Sequence, residues 1–318
     1  MISLRVLAPG FQTTVQDLGR FGYAHLGISA SGAADSMAFR IANRLAGNDE
    51  NTPALEMTLT GSTLYFEGMP NDAPLVAALT GSDFLAQLDG VPVPLWQAIS
   101  IKPGQTLRMG GTTSGARCYF AVRSGLRIAT TLGSASTHLL SHFGGHLGRA
   151  LKRGDVLEIG STEKAEDATT KINSEFVAAI SQRATLRITP GPQVDWFPES
   201  SLRELCSRAY LLTEASNRTG LRLTGDTILP SHNDQLLTEG ASLGAVQIPP
   251  DGQPIIVFVE QQTTGGYPKI ANVIAADLHR LGQLRPRDQV KFEMVTLEQA
   301  RTLLMQQEEA LQHALAMV

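Results

Sequence analysis

The run Gln261-Gln262-Thr263-Thr264-Gly265-Gly266-Tyr267-Pro268 gathers amides, hydroxyls and two glycines directly after an unbroken apolar segment, Ile255–Val259. That order reads as a buried strand opening into a polar loop. Glycine lets backbone approach a ligand closely. Hydroxyls and free N–H groups there can hold a carbonyl or anionic oxygen. The structural alternative is a tight turn whose threonines cap the next element.

Four further polar clusters stand out. They are Gln16–Arg20 with Gly27–Asp35, Asn43–Asn48 with Leu55–Thr58, Ser216–Leu223, and Thr238–Gly240 with Val246–Pro249. Each also has a purely structural reading. Asp17 and Arg20 can pair across a turn, and Asp35 can complement a helix N-terminus. Asn48 can take a left-handed conformation, and Arg218 and Arg222 can form a solvated pair on one strand face.

These clusters need elements to carry them, and the pattern is mostly β. Thirty glycines and sixteen prolines punctuate short apolar runs. Strands are expected near Leu4–Leu7, Thr63–Phe66, Leu75–Leu79, Ala98–Ile101, Tyr119–Val122, Val156–Ile159, Leu186–Ile188, Ile255–Val259 and Val290–Phe292, a spacing that fits barrels or sandwiches. Ile101–Leu107, Leu151–Leu157 and Leu284–Val290 share one pattern of apolar residue, cation, turn and new strand. They are either unrelated hairpin entries or the closing strands of similar units.

Helices are expected over Met37–Leu45, ending at Gly47, and over Ile270–Leu281, ending at Gly282. A third opens with a Thr296/Gln299 capping box and carries Leu297, Ala300, Leu304, Leu311, Ala314 and Val318 on one face. That face packs on the body of the protein or takes a partner. A short helix is expected over Ser174–Arg183, after a polar linker at Ser161–Thr170. Three regions result: an N-terminal β-rich domain over 1–180, a β-barrel domain over 181–295, and a C-terminal helix over 296–318.

Composition excludes several classes. Charged residues are 18% and hydrophobic residues 42% of 318, and the net charge is −4, which makes no electrostatic case for nucleic acid or an anionic membrane. Two distant cysteines show no disulfide framework. No stretch of about 18 apolar residues marks a membrane span. The first residues lack a signal-peptide pattern, so the cytoplasm is the expected compartment. There is no P-loop, no Gly-x-Gly-x-x-Gly and no nucleophile elbow. His138, His142 and His146 recur every four residues, but Gly144-Gly145 breaks the helix that would align them, and no metal site is expected.

Together the motifs resemble the biotin-dependent carboxyltransferase family, also called allophanate hydrolase subunit 2. The matching stretches are Thr14–Arg20, Ser31–Asp35, Ala42-Asn43 with Gly47-Asn48, Leu55-Glu56, Gly133–Thr137, Gly144-Gly145 with Gly148-Arg149, and Gly191-Pro192. They continue with Ser216–Arg218, Arg222-Leu223, Gln247–Pro254 and Gln262–Pro268. Arg123–Leu126 and Thr238 depart from the usual pattern. The family includes the C components of 5-oxoprolinases and part of the urea carboxylase carboxyltransferase domain.

The resemblance implies a mainly β protein with a few helices, two β-rich units and a cyclophilin-like β-barrel. It implies the C component of an ATP-dependent enzyme that opens 5-oxo-L-proline to L-glutamate, with the alternatives of biotin-dependent carboxyl transfer to urea or regulation of a companion. The implied partners are an allophanate hydrolase subunit 1-like chain (the 5-oxoprolinase B component) and a protein like the 5-oxoprolinase A component. ATP is expected with a companion, and biotin only under the alternative.

For such chemistry Thr263, Thr264 and the Gly265-Gly266 backbone are candidate donors to a developing oxyanion. Arg20, Arg218 and Arg222 are candidate carboxylate or phosphate grips. Asp35, Glu56 and Glu239 are candidates to orient a nitrogen or relay a proton. Asn43, Asn217, Gln247 and Gln262 complete the polar candidates, and Tyr267 can stack on substrate.

Overall fold

The computed structural model describes residues 2–69, 74–160, 170–232 and 236–316. The chain divides into two compact units. One comprises residues 1–20, 31–181 and 312–318, and the other residues 21–30 and 182–311. All but the last residue of the polar stretch Ser161–Thr170 lies outside the described residues, as does Val318.

The first unit carries β1 (Ser3–Ala8), β2 (Gln12–Gln16), β3 (Ala54–Thr58), β4 (Thr63–Glu67), β5 (Leu75–Gly81), β6 (Gln87–Leu88), β7 (Val91–Pro92), β8 (Ala98–Ile101), β9 (Thr106–Arg108), β10 (Arg117–Val122) and β11 (Val156–Glu158). Its helices are α1 (Ser36–Leu45) and α2 (Ser174–Ile180). The strands form a six-stranded sheet, β11-β1-β4-β9-β6-β7, and a five-stranded sheet, β2-β3-β10-β5-β8. One core joins them: Leu4, Val6, Leu64 and Phe66 from the first sheet meet Leu55, Leu79, Phe120 and Val122 from the second.

β10 shows the period of two directly. Cys118, Phe120 and Val122 enter that core, while Tyr119 and Ala121 face the other way, where Ala38, Phe39 and Ala42 of α1 cover them. A strand covered on both faces reads as continuously apolar, as Cys118–Val122 does.

The second unit adds β12 (Thr185–Pro190), β13 (Ala209–Leu212), β14 (Gly220–Thr224), β15 (Glu239–Gly240), β16 (Ala245–Gln247), β17 (Ile255–Val257), β18 (Thr264–Gly265), β19 (Lys269–Val273) and β20 (Gln289–Met294). Its helices are α3 (Ser201–Ser207), α4 (Leu278–Leu281) and, up to Leu311, α5 (Leu297–Ala316). Seven strands close a barrel in the order β12-β19-β16-β17-β14-β13-β20, with β12 and β20 pairing in parallel to seal it. Closure leaves no exposed edge. Alternation again sets the faces: Tyr210, Leu212, Leu221, Leu223, Val290 and Phe292 are buried, and Leu211, Arg222 and Lys291 are exposed. β15 and β18 pair only with each other, as a two-stranded ribbon.

The nine expected strands are present, with the Ile255–Val259 segment ending as a strand at Val257. The helix expected over Ile270–Leu281 is not. Its first part is barrel strand β19, followed by a single 3-10 turn, Ala275–Asp277, and the four residues of α4. Ile270, Val273 and Ile274 satisfy a helical spacing, but β-branched residues favour a strand, and pairing with both β12 and β16 decides the outcome. The Thr296 capping box is formed: Thr296 N–H donates to Gln299 Oε1 at 2.8 Å, and Gln299 N–H to Thr296 Oγ1 at 3.2 Å. Among the described residues no helix is long and apolar enough to cross a membrane.

The three recurring basic turns share one geometry. In each, the backbone N–H of the cation donates to the side chain three residues on: Lys102 to Gln105, Lys152 to Asp155, Arg285 to Asp288. The N–H of that third residue returns to the carbonyl of the cation. The position between them is left-handed each time: Gly104 at φ 76°, Gly154 at 90°, and Arg287 at 73°. A side chain in this region costs about 1–2 kcal/mol, so the third turn is strained where the first two are not.

Arg287 offsets little of that strain, because its contact with Glu214, 3.2 Å, joins two exposed side chains. We therefore expect Arg287→Gly to stabilise the protein by about 0.5–1 kcal/mol in urea unfolding, after allowing for glycine's larger chain entropy. Gly154→Ala should do the reverse by a similar amount, since an added Cβ meets nothing within 4 Å and only the backbone angle opposes it.

The second of these turns also carries an acid-sensitive pair. Arg149 donates to both carboxylate oxygens of Asp155, at 2.7 and 2.9 Å. This holds the Asp155 carboxyl down to about 2. A depressed carboxylate stabilises the fold above its unfolded pKa of about 3.9 and loses that contribution as pH falls toward 2. The stability difference between the native protein and Arg149→Gln should be constant near neutral pH and close between about pH 4 and pH 2 in acid titrations.

Candidate functional site

The ribbon β15–β18 brings two separated polar clusters together. Glu239 lies opposite Gly265 and Gly240 opposite Thr264. Ala241 N–H donates to the Thr263 carbonyl at 3.0 Å and extends the pairing. Close to the ribbon, barrel strand β19 starts at Lys269, whose side chain is only 3% exposed. Its Nζ lies 2.6 Å from Glu239 Oε1, while the Glu239 side chain is 41% exposed.

Gln193 ties the two together. Its Nε2 donates to Glu239 Oε1 at 2.7 Å, and its Oε1 accepts the Lys269 backbone N–H at 3.1 Å. Gln193 N–H returns to the Lys269 carbonyl, and Gly191 N–H to the Ile270 carbonyl, so the Gly191–Gln193 segment is laced along the start of β19.

Gln247 forms another wall. It sits at the end of β16 beside Lys269 in the barrel register and is buried. A Cβ on Gly265 would come within 2.7 Å of Gln247 Nε2, so a larger residue there would require the Gln247 amide to shift. Thr264, Gly266, Gln262 and Tyr267 are exposed around this point, and Thr263 is half-buried. The Lys269 ammonium, helped by the Gln193 amide, holds the Glu239 carboxyl below the usual glutamate range. The cluster thus offers an ionised carboxylate, a buried ammonium and an amide in contact with one of its oxygens, and the Thr264-Gly265 strand paired to its backbone. That set can orient an amide N–H and stabilise charge on a neighbouring carbonyl oxygen.

Of the sequence candidates, Glu239, Gln247, Thr264 and Gly265 meet here, and Gln262, Thr263, Gly266 and Tyr267 belong to the same loop. Sequence reasoning missed Lys269 and Gln193. The available signal was a lysine set between Pro268 and the apolar Ile270, and a glutamine directly after Gly191-Pro192.

The other candidates lie elsewhere, and all but Arg222 have side-chain partners among the described residues. Asn217 Oδ1 caps its own turn through Thr219 and Gly220 N–H. Arg218 is buried and bonds Glu260 Oε1 at 2.5 Å, whereas Arg222 is exposed on β14. They are therefore not the solvated pair that the spacing allowed. Asp35 caps α1, accepting from Ala38 N–H at 2.9 Å.

Glu56 Oε2 accepts from Ala34 N–H and the Tyr119 hydroxyl, both at 2.8 Å, and its other oxygen lies 3.4 Å from Arg117. Burial, and then the Glu56 charge, push the Tyr119 phenol well above its ordinary range. Asn43 donates to the Thr52 carbonyl at 2.9 Å and accepts from Asn48 at 3.1 Å.

Arg20 donates to the carbonyl of Ser136 and lies 4.7 Å from the centroid of Phe143. The Asp17 carboxylate accepts from Gly19 N–H, Ala135 N–H and the Ser134 and Ser136 hydroxyls. His138 stacks on Phe143 and His146 lies 3.6 Å from Asp155. Among the described residues no group of three or more potential ligands can hold a metal ion.

A model of the carboxyltransferase domain, subdomain A and B, matches residues 26–294. The chain belongs to this family. It is 38% identical to the C component of the Escherichia coli 5-oxoprolinase over 93% of both chains. It is 35% identical to the urea amidolyase of Saccharomyces cerevisiae, over 97% of this chain but 17% of that one. The crystal structure of the Kluyveromyces lactis urea carboxylase superposes on 97% of this chain with a TM-score of 0.88 at 31% identity, and this chain spans 29% of that one.

Two substitutions separate a buried strut from an exposed arginine. Arg218→Ala removes the arginine partner of the buried Glu260 carboxylate and should destabilise the protein by about 3–5 kcal/mol in denaturant unfolding. Arg222→Ala should stay within about 0.5 kcal/mol.

Proposed function

We propose that this chain is the C component of a multi-subunit, ATP-dependent 5-oxoprolinase, working with companions like the A and B components to convert 5-oxo-L-proline to L-glutamate. The observation that carries this reading is the Glu239–Lys269–Gln193 cluster beneath Thr264 and Gly265, in a chain similar to a 5-oxoprolinase C component along nearly its whole length. In that role Glu239 orients the ring nitrogen. Donors of the Thr264–Gly266 segment face the carbonyl oxygen, whose charge grows as the amide is attacked.

ATP supplies the driving force for ring opening and is assigned to the companions. The cluster does not fit a triphosphate, because the Lys269 charge is already matched by Glu239 and leaves no surplus positive charge. A second reading is carboxyl transfer from carboxybiotin to urea or a related amide, which the likeness to urea carboxylase supports. The cyclic ureido group of biotin and urea itself both present N–H donors that an ionised Glu239 can accept.

The test is reconstitution. This chain alone should release no glutamate from 5-oxoproline. With A-like and B-like components and ATP it should turn over, and Glu239→Leu should lower kcat/KM by at least a hundredfold. A complete set that leaves 5-oxoproline untouched, while this chain co-purifies with a biotinylated protein, moves the assignment to carboxyl transfer.

A further inference from the structure

We infer that Glu239 is a permanently charged receptor for the nitrogen of the cyclic amide, and that Lys269 and Gln193 are positioning residues that keep it ionised and aimed. The inference rests on the lactam reading above and deepens it. The geometry is asymmetric. Oε1 of Glu239 takes both the Lys269 ammonium, at 2.6 Å, and the Gln193 amide, at 2.7 Å. Oε2 makes no hydrogen bond among the described residues, on a side chain 41% exposed. One oxygen is therefore anchored and the other is presented.

Lys269 cannot act on a ligand in the same way. Its side chain is 3% exposed, against 41% for the carboxylate it contacts. A buried ammonium that loses its counter-ion is costly, so the pair is held together. A general base is best when its pKa lies near the working pH. Lys269 and Gln193 move Glu239 the opposite way, toward a weaker base and a more persistent anion. Such a group accepts a hydrogen bond and does not carry protons.

The contact changes along the reaction. Net opening adds one water across the amide: the carbonyl carbon gains an oxygen, its bond to nitrogen breaks, and the carboxyl proton ends on nitrogen. The ring N–H, a neutral donor, becomes an ammonium while ATP is consumed by the companions. Its contact with a fixed anion therefore strengthens as the bond breaks, which is the differential binding that speeds a reaction. A ring without an N–H forfeits that contact.

The experiment has one arm that needs no turnover. In the full chain labelled at glutamate carboxyl carbons, the Glu239 NMR signal is titrated in the native protein, Lys269→Met and Gln193→Leu. Its midpoint should rise in both variants, more in Lys269→Met. The signal should also respond to methylammonium and not to tetramethylammonium, which has no N–H. If Lys269→Met does not fold, Gln193→Leu and the native protein carry the comparison.

In the second arm the reconstituted complex is given 5-oxoproline and its N-methyl derivative. The native complex should prefer the parent by at least tenfold in kcat/KM. The acid limb of its pH profile should move upward in Gln193→Leu. An unmoved Glu239 midpoint, equal responses to the two ammonium ions, or equal use of the two lactams overturns the inference. A native complex that does not open 5-oxoproline overturns the proposed function instead, and the first arm still decides whether Glu239 is an anchored nitrogen receptor.

Discussion

A lysine ammonium removed from water must keep a counter-charge, and this constraint organises the second unit of the molecule. Lys269 is buried at the start of a barrel strand, and the carboxylate that neutralises it comes from Glu239, thirty residues earlier in the chain. The requirement ties the β15–β18 ribbon to the barrel. It also commits Gln193, since the carboxylate oxygen nearest the ammonium needs a further donor to offset desolvation. What remains is the second carboxylate oxygen, which makes no hydrogen bond among the described residues, on a side chain 41% exposed. The group proposed to meet substrate is thus the exposed half of a structural ion pair.

The first unit uses the same residue types to a different end. Asp17 gathers the Ser134–Ser136 loop through backbone and hydroxyl donors, more than a hundred residues away in sequence. Glu56 joins the turn before α1 to Tyr119 on β10 and to Arg117. Arg20 closes on a carbonyl and an aromatic ring. A buried polar group costs several kcal/mol unless it is satisfied, and the Asp17 and Glu56 carboxylates are satisfied by donors from distant stretches of chain.

Local pattern exposed much of the architecture. Alternation located the strands because each has one face, or both, against a core, as Leu4 and Val6 flanking Arg5 show. The capping box at Thr296 and the cap at Asp35 were readable because their partners lie three residues away. The segment after Ile270 was misread because short apolar runs satisfy helix and strand periods alike, and only the neighbouring strands choose between them. Gln193 and Lys269 were missed for a related reason. Nothing within a few residues of either marks its role, since Gln193 meets Glu239 forty-six positions away.

The sequence by itself determined the family, the mainly β character, the positions of most strands, and the loop in which the exposed polar groups gather. These arise from short-range regularities: a period of two, a cap three residues distant, a glycine at a turn. The tertiary structure alone decided which charged residues are buried struts and which stay exposed. Arg218 and Glu239 are equally polar on paper. One is locked to Glu260 in the interior, and the other stays 41% exposed while Lys269 and Gln193 both contact its Oε1. Burial and partnership are properties of the packed chain, and they set the chemistry each side chain can perform.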